Sequence, residues 1–457
     1  MTRRTVTTAL AALLTLGGLL LVPGTASAAV SSAPPATPQI GGSATSGTDG
    51  TVEVVRQITQ CGNVMYAVGK FTQVRNPNSV TAIARNNAFA FRAGSPYTVL
   101  PWNPNVNGQV DTIACLPDGD VALGGSFTTV GGAAVRNLAK VDEVTGANQT
   151  SFTLHPAGRV AHMEVVRDQG NALHLLVGGY AAPYLRSVNP TTGANQTYLP
   201  SNLAISGVYS YDGVAALTPR IYNMSVYPAP YQAGSTTVNP AVLMTGIFTS
   251  VGGQHHEQLF RLNLTAGTAT VSAWSPSELY SHCYRREPFY AQDATFSTDM
   301  SRVFVATTGY RLNSELALPS TQRPQVRTGP CDAAIAYQAT SETEFSGHTW
   351  INYTGCDSLY SIATDASTVF IGGHQRWISN GNACDRLGTG GRAQSGLGEL
   401  TPASGADQPG PSRGRGLGAA DLLRTSAGLW IGSDNQANTA GCGTAKSGRM
   451  GICFLPN

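Results

Sequence analysis

The sequence predicts an all-β fold: a seven-bladed β-propeller closed by N- and C-terminal strands and held by four disulfides. Three observations carry that expectation. A strand-like run ending in one or two glycines recurs about every sixty residues. The intervals hold further short alternating runs and tight turns, with no helical period of useful length. Eight cysteines stand in a chain that opens with an export signal, the setting in which disulfides form and persist.

At the N-terminus, Arg3 and Arg4 precede an apolar run over residues 9–22 and then Ala26-Ser27-Ala28. This reads as a secretory signal over residues 1–28, cut after Ala28 and too short to anchor in a membrane. The arginine pair also fits a twin-arginine signal, but disulfide formation favours the route in which the chain crosses unfolded. The expected location is secreted and extracellular.

Residues 29–50 contain SSAPPATPQIGGSATSG (31–47), which lacks apolar periodicity. That composition predicts a flexible, exposed segment, or one that contributes the closing strand. Residues 51–457 then form a single propeller. Its recurrent runs are VMYAVGKF (64–71), VALGGSF (121–127), LHLLVGGY (173–180), AVLMTGIF (241–248), RVFVATTGY (302–310), TVFIGG (368–373) and GLWIGSD (428–434). In the clearest unit DTIACL (111–116) alternates, PDGD (117–120) turns, VALGGSF follows, and RNLAKVD (136–142) comes after a Gly-rich loop. Repeating units of three or four strands suit blades around an axis, which leave only short sheet edges. The paired glycines are expected where backbones crowd near that axis. They are poor phosphate loops, because no helix follows. The last run, RMGICFLP (449–456), leaves the seventh unit one strand short, so the N-terminal segment is expected to complete it.

None of the cysteines forms a C-x-x-C pair, so disulfides are expected in place of zinc. Neighbour pairing joins Cys61 to Cys115, Cys283 to Cys331, Cys356 to Cys384 and Cys442 to Cys453. Only 12% of the chain is charged and its net charge is +2, which excludes a polybasic nucleic-acid or membrane surface.

Chemical motifs are few. Gly410-Pro411-Ser412-Arg413-Gly414 fits G-x-S-x-G, yet no strand leads into it and no helix follows. His255-His256-Glu257 cannot share one ion on a strand, where adjacent side chains point to opposite faces. His282, His348 and His374 are isolated in sequence. Asp118-Gly119-Asp120 lacks further calcium ligands and reads as a hairpin turn. Glu278, Asp293, Asp299, Glu342 and Glu344 lie in the least regular units, but no spacing selects two as a glycosidase pair. No catalytic, cofactor-binding or metal-binding residue is assigned.

GGSFTTVGG (124–132) with RNLAKVD (136–142), and the weaker copy GIFTSVGG (246–253) with LFRLNLTAG (259–267), resemble the delta-sixty repeat of secreted actinobacterial propellers. WINYTGCDSLYSIA (350–363) and FIGGHQRW (370–377) resemble the same group. The resemblance covers most of the chain and speaks to fold more than to function. It implies a monomeric, non-enzymatic extracellular protein that promotes autolysis of thermolysin-like metalloproteases and donates glutamine to transglutaminase. Gln39, in the Pro-rich segment, is then the best-placed donor, ahead of Gln254, Gln394, Gln408 and Gln436 in Gly-rich loops. Lys70, Lys140 and Lys446 are the only lysines, so a lysine-bearing partner would be needed to form polymers. The competing functions are a carbohydrate-active hydrolase or lyase and a lectin-like sugar binder. Two facing carboxylates, or arginines with aromatic platforms, in the propeller mouth would favour these.

Overall fold

The structure is a computed structural model that describes residues 30–31, 33–42, 53–207, 217–281, 283, 289–309, 329–381, 383–384, 386–412, 418–434 and 451–457. The expected signal peptide lies outside these residues. Strands dominate, and the helical content of the described residues is one 3-10 turn, Ser277–Tyr280.

Among the described residues, seven sheets of three or four strands begin on a strand of at least six residues. These first strands are Val54–Cys61, Gln109–Cys115, Val160–Arg167, Arg220–Tyr227, Ala291–Phe296, Leu359–Thr364 and Ala419–Thr425. Each packs against the next in chain order, and the last packs against the first. Within every sheet the first strand pairs antiparallel with the second, as the hairpin turns in the sequence require. Sheets set around a common axis in this way form a propeller.

The core lies between neighbouring sheets. Tyr66, Val68 and Ala90 of the first sheet pack with Trp102, Val110, Ile113 and Leu123 around the second. Ile58, Phe89 and Phe91 of the first sheet meet Trp430 and Phe454 of the seventh in the same manner.

The N-terminal segment departs from a loose tail. Gln39–Gly41 is a short strand paired with Gln73–Arg75, and Ile40 is buried against the first and seventh sheets. Upstream, Ser31 N–H donates to Pro456 O at 2.6 Å and Thr37 Oγ1 donates to Ile452 O at 2.7 Å. The segment therefore lies along the last strand, Ile452–Pro456, without joining its sheet. It does not pair as a regular strand, because Pro34, Pro35 and Pro38 have no N–H to offer a ladder.

Three of the expected disulfides are formed: Cys61–Cys115, Cys283–Cys331 and Cys356–Cys384, with Cα separations of 5.8, 5.7 and 5.1 Å. These pairs are consistent with an extracellular location. The expected Cys442–Cys453 pair includes Cys442, which lies outside the described residues.

Each of the seven first strands carries a β-bulge at the same place. The register breaks between Val55 and Gln57, Val110 and Thr112, Val160 and His162, Ile221 and Asn223, Ala291 and Asp293, Leu359 and Ser361, and Ala419 and Asp421. The glycine doublets answer this bulge. A Cβ on Gly125 would sit 2.2 Å from the carbonyl oxygen of Gln109, beside the bulge, and one on Gly124 would sit 2.6 Å from Val160 of the next sheet. Crowding is thus the reason for the glycines, as expected. It arises on the second strand, one layer away from the axis.

Candidate functional site

A bulge leaves one residue outside the hydrogen-bonded ladder and re-aims its side chain. Here the extra residues are Arg56, Asp111, Ala161, Tyr222, Gln292, Tyr360 and Ala420, one per sheet, and all seven line a single axial cavity of about 530 Å³. The volume is in the range of small-molecule sites. Arg159, Tyr180 and Arg220 join them at the rim, and Gln57, His162, Asn223, Asp293 and Asp421 form the floor. The same five floor residues also line a second cavity of about 520 Å³ toward the other face, so they are the waist of an axial channel.

The rim is cationic. Arg159 grips Asp111 with two hydrogen bonds, Nε to Oδ2 at 2.7 Å and Nη2 to Oδ1 at 2.6 Å, and Gln109 Nε2 donates to the same carboxylate at 2.6 Å. Tyr180 receives two guanidinium groups on its ring, Arg159 at 5.0 Å and Arg220 at 4.7 Å from the centroid. A contact of this kind favours a cation without using its N–H donors, which in Arg159 are spent on Asp111. The Arg56 and Arg220 guanidinium groups make no hydrogen bond or ion pair among the described residues, and Arg220 Nε is buried without a partner. Arg56 is open to water in the channel yet hemmed in by protein. Burial, with Arg159 adding to it, lowers its affinity for a proton despite Asp111.

The floor is built from residues that also tie the sheets together. Gln57 Oε1 accepts from Ile113 N–H at 2.7 Å, and Thr112 Oγ1 accepts from Met163 N–H at 3.0 Å. Asn223 Nδ2 donates to Asp293 Oδ1 at 2.5 Å, and Asp293 Oδ2 accepts from Ile362 N–H at 2.9 Å. Ser361 Oγ donates to Ala419 O at 3.0 Å, and Asp421 Oδ2 accepts from Ile58 N–H at 2.6 Å. The last bond joins the seventh sheet to the first. Burial raises the Asp293 carboxyl to about 7 and the Asp421 carboxyl to about 6; the charge of Asp421 adds to the shift at Asp293. His162, on the same floor, lies 3.2 Å from Glu164.

Of the residues the sequence singled out for chemistry, only Asp293 falls in this channel. Asp299 is the acceptor of a turn made with Ser297 and Ser301. Glu278 pairs with His348, Glu342 with Arg261, and Glu344 with Tyr280. His255 is exposed, stacks on Tyr280 and meets Glu257 at 3.0 Å. His256 is buried, with both ring nitrogens unpartnered and its pKa pushed down by burial to about 4, so the three residues do not converge on an ion. Asp118 and Asp120 hold Lys140, the role of a hairpin brace. Ser412 lies outside any strand or helix, while His282, Arg413 and Gly414 lie outside the described residues.

The glutamines need correction. Gln39 is half-buried in a strand. Gln394 is buried and donates to Leu397 O and Pro411 O, and Gln408 is half-buried, donating to Ser367 O and Thr401 Oγ1. Loop composition suggested exposure for these, but the amides are consumed in bracing the loops. Gln254 is exposed, and Gln436 lies outside the described residues.

The site residues had a signal that sequence reading missed. An apolar residue, a variable one, a polar one and another apolar one recur as V-R-Q-I (55–58), V-D-T-I (110–113), V-A-H-M (160–163), I-Y-N-M (221–224), A-Q-D-A (291–294), L-Y-S-I (359–362) and A-A-D-L (419–422). The glycine runs drew attention to the second strand of each unit, and the lining is carried by the first.

No family model matches the chain, and no curated protein does. Similar solved structures include the WD40 repeats of RRP9, at 9% identity over 93% of this chain and 98% of that chain with a TM-score of 0.49. The Dos1 propeller is 7% identical over 93% and 96% of the two chains, with a TM-score of 0.49. The WD40 propeller domain of Doa1 is 9% identical over 92% and 97%, with a TM-score of 0.45. Likeness at this level says nothing about the site, which stands on this chain's own geometry.

Proposed function

We propose that this chain is a secreted, seven-bladed propeller that binds a small organic anion at the rim of its axial funnel. The support is a single observation: Arg56 and Arg220 face a pocket-sized cavity beside Arg159 and form no hydrogen bond or ion pair with a carboxylate among the described residues. Guanidinium groups without a protein acceptor gain when a ligand carboxylate supplies one with matching two-pronged geometry. Closure by seven blades is supported by the ring of first strands and by the Asp421–Ile58 bond. A binding role, without turnover, is supported by the floor. Asp293 and Asp421 spend oxygens on neighbouring-sheet amides, which fixes them as wall.

Titration calorimetry with acetate, lactate and glucuronate tests the reading. At least one of these should bind, and Arg56→Ala with Arg220→Ala should weaken it at least tenfold while melting stays near wild type. Unchanged affinity in that variant would refute the site.

The resemblance to secreted delta-sixty propellers, among them the dispase autolysis-inducing protein, supports a second reading: action on metalloproteases and glutamine donation to transglutaminase. Among the candidates within the described residues, exposed Gln254 is the donor that suits it. Labelled-amine incorporation followed by mass spectrometry tests it, and label at sites other than Gln254 would remove this assignment.

A further inference from the structure

We infer that the ligand is dipolar, a small zwitterion that brings an ammonium group to the channel floor as well as a carboxylate to the rim. The inference rests on the anion-binding reading and adds a second charge to it. The cavity is lined by three arginines and three aspartates, but the two signs are segregated. Asp111 is committed to Arg159 by both of its oxygens, which leaves Arg56 and Arg220 as the open cations of the rim.

On the floor the balance is reversed. Asp293 accepts from the Asn223 amide and from the backbone N–H groups of Ala294 and Ile362, and Asp421 accepts from the backbone N–H of Ile58. All of these donors are uncharged. Neither carboxylate forms an ion pair among the described residues, and His162 beside them is engaged by Glu164. Each carboxylate oxygen has more than one acceptor direction, so lone pairs remain for a ligand donor. A half-buried carboxylate without a cation is less well solvated than one in open water, and a ligand ammonium offsets that loss as a neutral hydroxyl does not.

The spacing fits a compact molecule. Arg56, Gln292 and Ala420 immediately precede Gln57, Asp293 and Asp421, so rim and floor are adjacent levels of the wall, and a strand rises about 3.3 Å per residue. A monoanion without an amine leaves the floor unmatched. An amine without a carboxylate leaves the rim unmatched.

Calorimetry at pH 8 with matched pairs tests this: glycine and acetate, β-alanine and propionate, 4-aminobutyrate and butyrate, 5-aminopentanoate and pentanoate. At least one amino acid should bind tenfold or more tightly than its partner acid. The double variant Asp293→Asn, Asp421→Asn, which keeps an acceptor at each position, should erase that margin, bringing the affinity ratio within each pair close to one. Equal affinity within every pair would overturn the dipolar ligand while leaving the anion site standing. A margin that survives in the double variant would also overturn it. Failure of all eight compounds and of glucuronate would overturn both.

Discussion

Arg56 and Asp293 show how position along one short strand separates two kinds of work. Arg56 is the extra residue of its bulge and contributes nothing to the ladder, whereas Asp293 follows its bulge and ties its own sheet to both neighbouring sheets. That second role has a pH signature. Burial keeps Asp293 near 7 and Asp421 near 6, with His162 opposing the shift at both and Glu164 adding to it at Asp421, against 3.8 for an ordinary aspartate. The folded chain therefore holds these protons more tightly than the unfolded one. Their contribution to stability is complete below about pH 4 and is lost as pH rises through 6 and 7. The melting temperature should fall between pH 5 and pH 8, and Asp293→Asn with Asp421→Asn should flatten that fall. A wild-type curve that is flat over this window would contradict the burial of these groups.

The bulged first strand is the element that makes the site, and it explains what the sequence hid. Strand existence, turn positions and glycine recurrence were legible because alternation and doublets are local signals. A bulge inserts one residue into the alternation, and in V-R-Q-I (55–58) or A-A-D-L (419–422) this looks like ordinary irregularity until the strands are aligned. The glutamine exposure failed for a related reason: Gln394 and Gln408 lie where composition signals a loop, but hydrogen bonding is non-local. The bulge also predicts an asymmetry in tolerance. Gly125→Ala places a methyl 2.2 Å from Gln109 O and should destabilise by about 1–3 kcal/mol, as overpacking does. Ala161→Ser, on the bulge itself, should leave denaturant unfolding within about 0.5 kcal/mol of wild type. Equal effects of the two changes would show that the bulge does not isolate its side chain.

Among the described residues, the seventh and first sheets meet through the core of Trp430, Phe454 and Phe91, the Asp421–Ile58 bond, the Val54–Asp434 backbone bridge, and the N-terminal segment along Ile452–Pro456. The sequence suggested the closing role of that segment from a strand deficit. It could not show that prolines would limit the pairing to scattered bonds. Ile40 is the apolar anchor, 3% exposed among residues of both sheets. Ile40→Ala should cost about 2–5 kcal/mol in guanidinium unfolding, in line with a buried large-to-small change. A cost under about 0.5 kcal/mol would mean that the segment is not part of the closure.

The seven bulges carry an evolutionary consequence. Because the ladder skips Arg56, Ala161, Gln292 and Ala420, mutation there disturbs strand pairing little, whereas Asp111 is held by Arg159 and Tyr222 bonds across to Ala291 O. The first strands thus present a ring of letters that selection can rewrite with unequal freedom, the frame that displays them left intact. Under the proposed binding role, descendants of this chain could exchange one ligand for another through single codon changes at the unbonded positions, while the glycines and floor residues beside them stayed fixed.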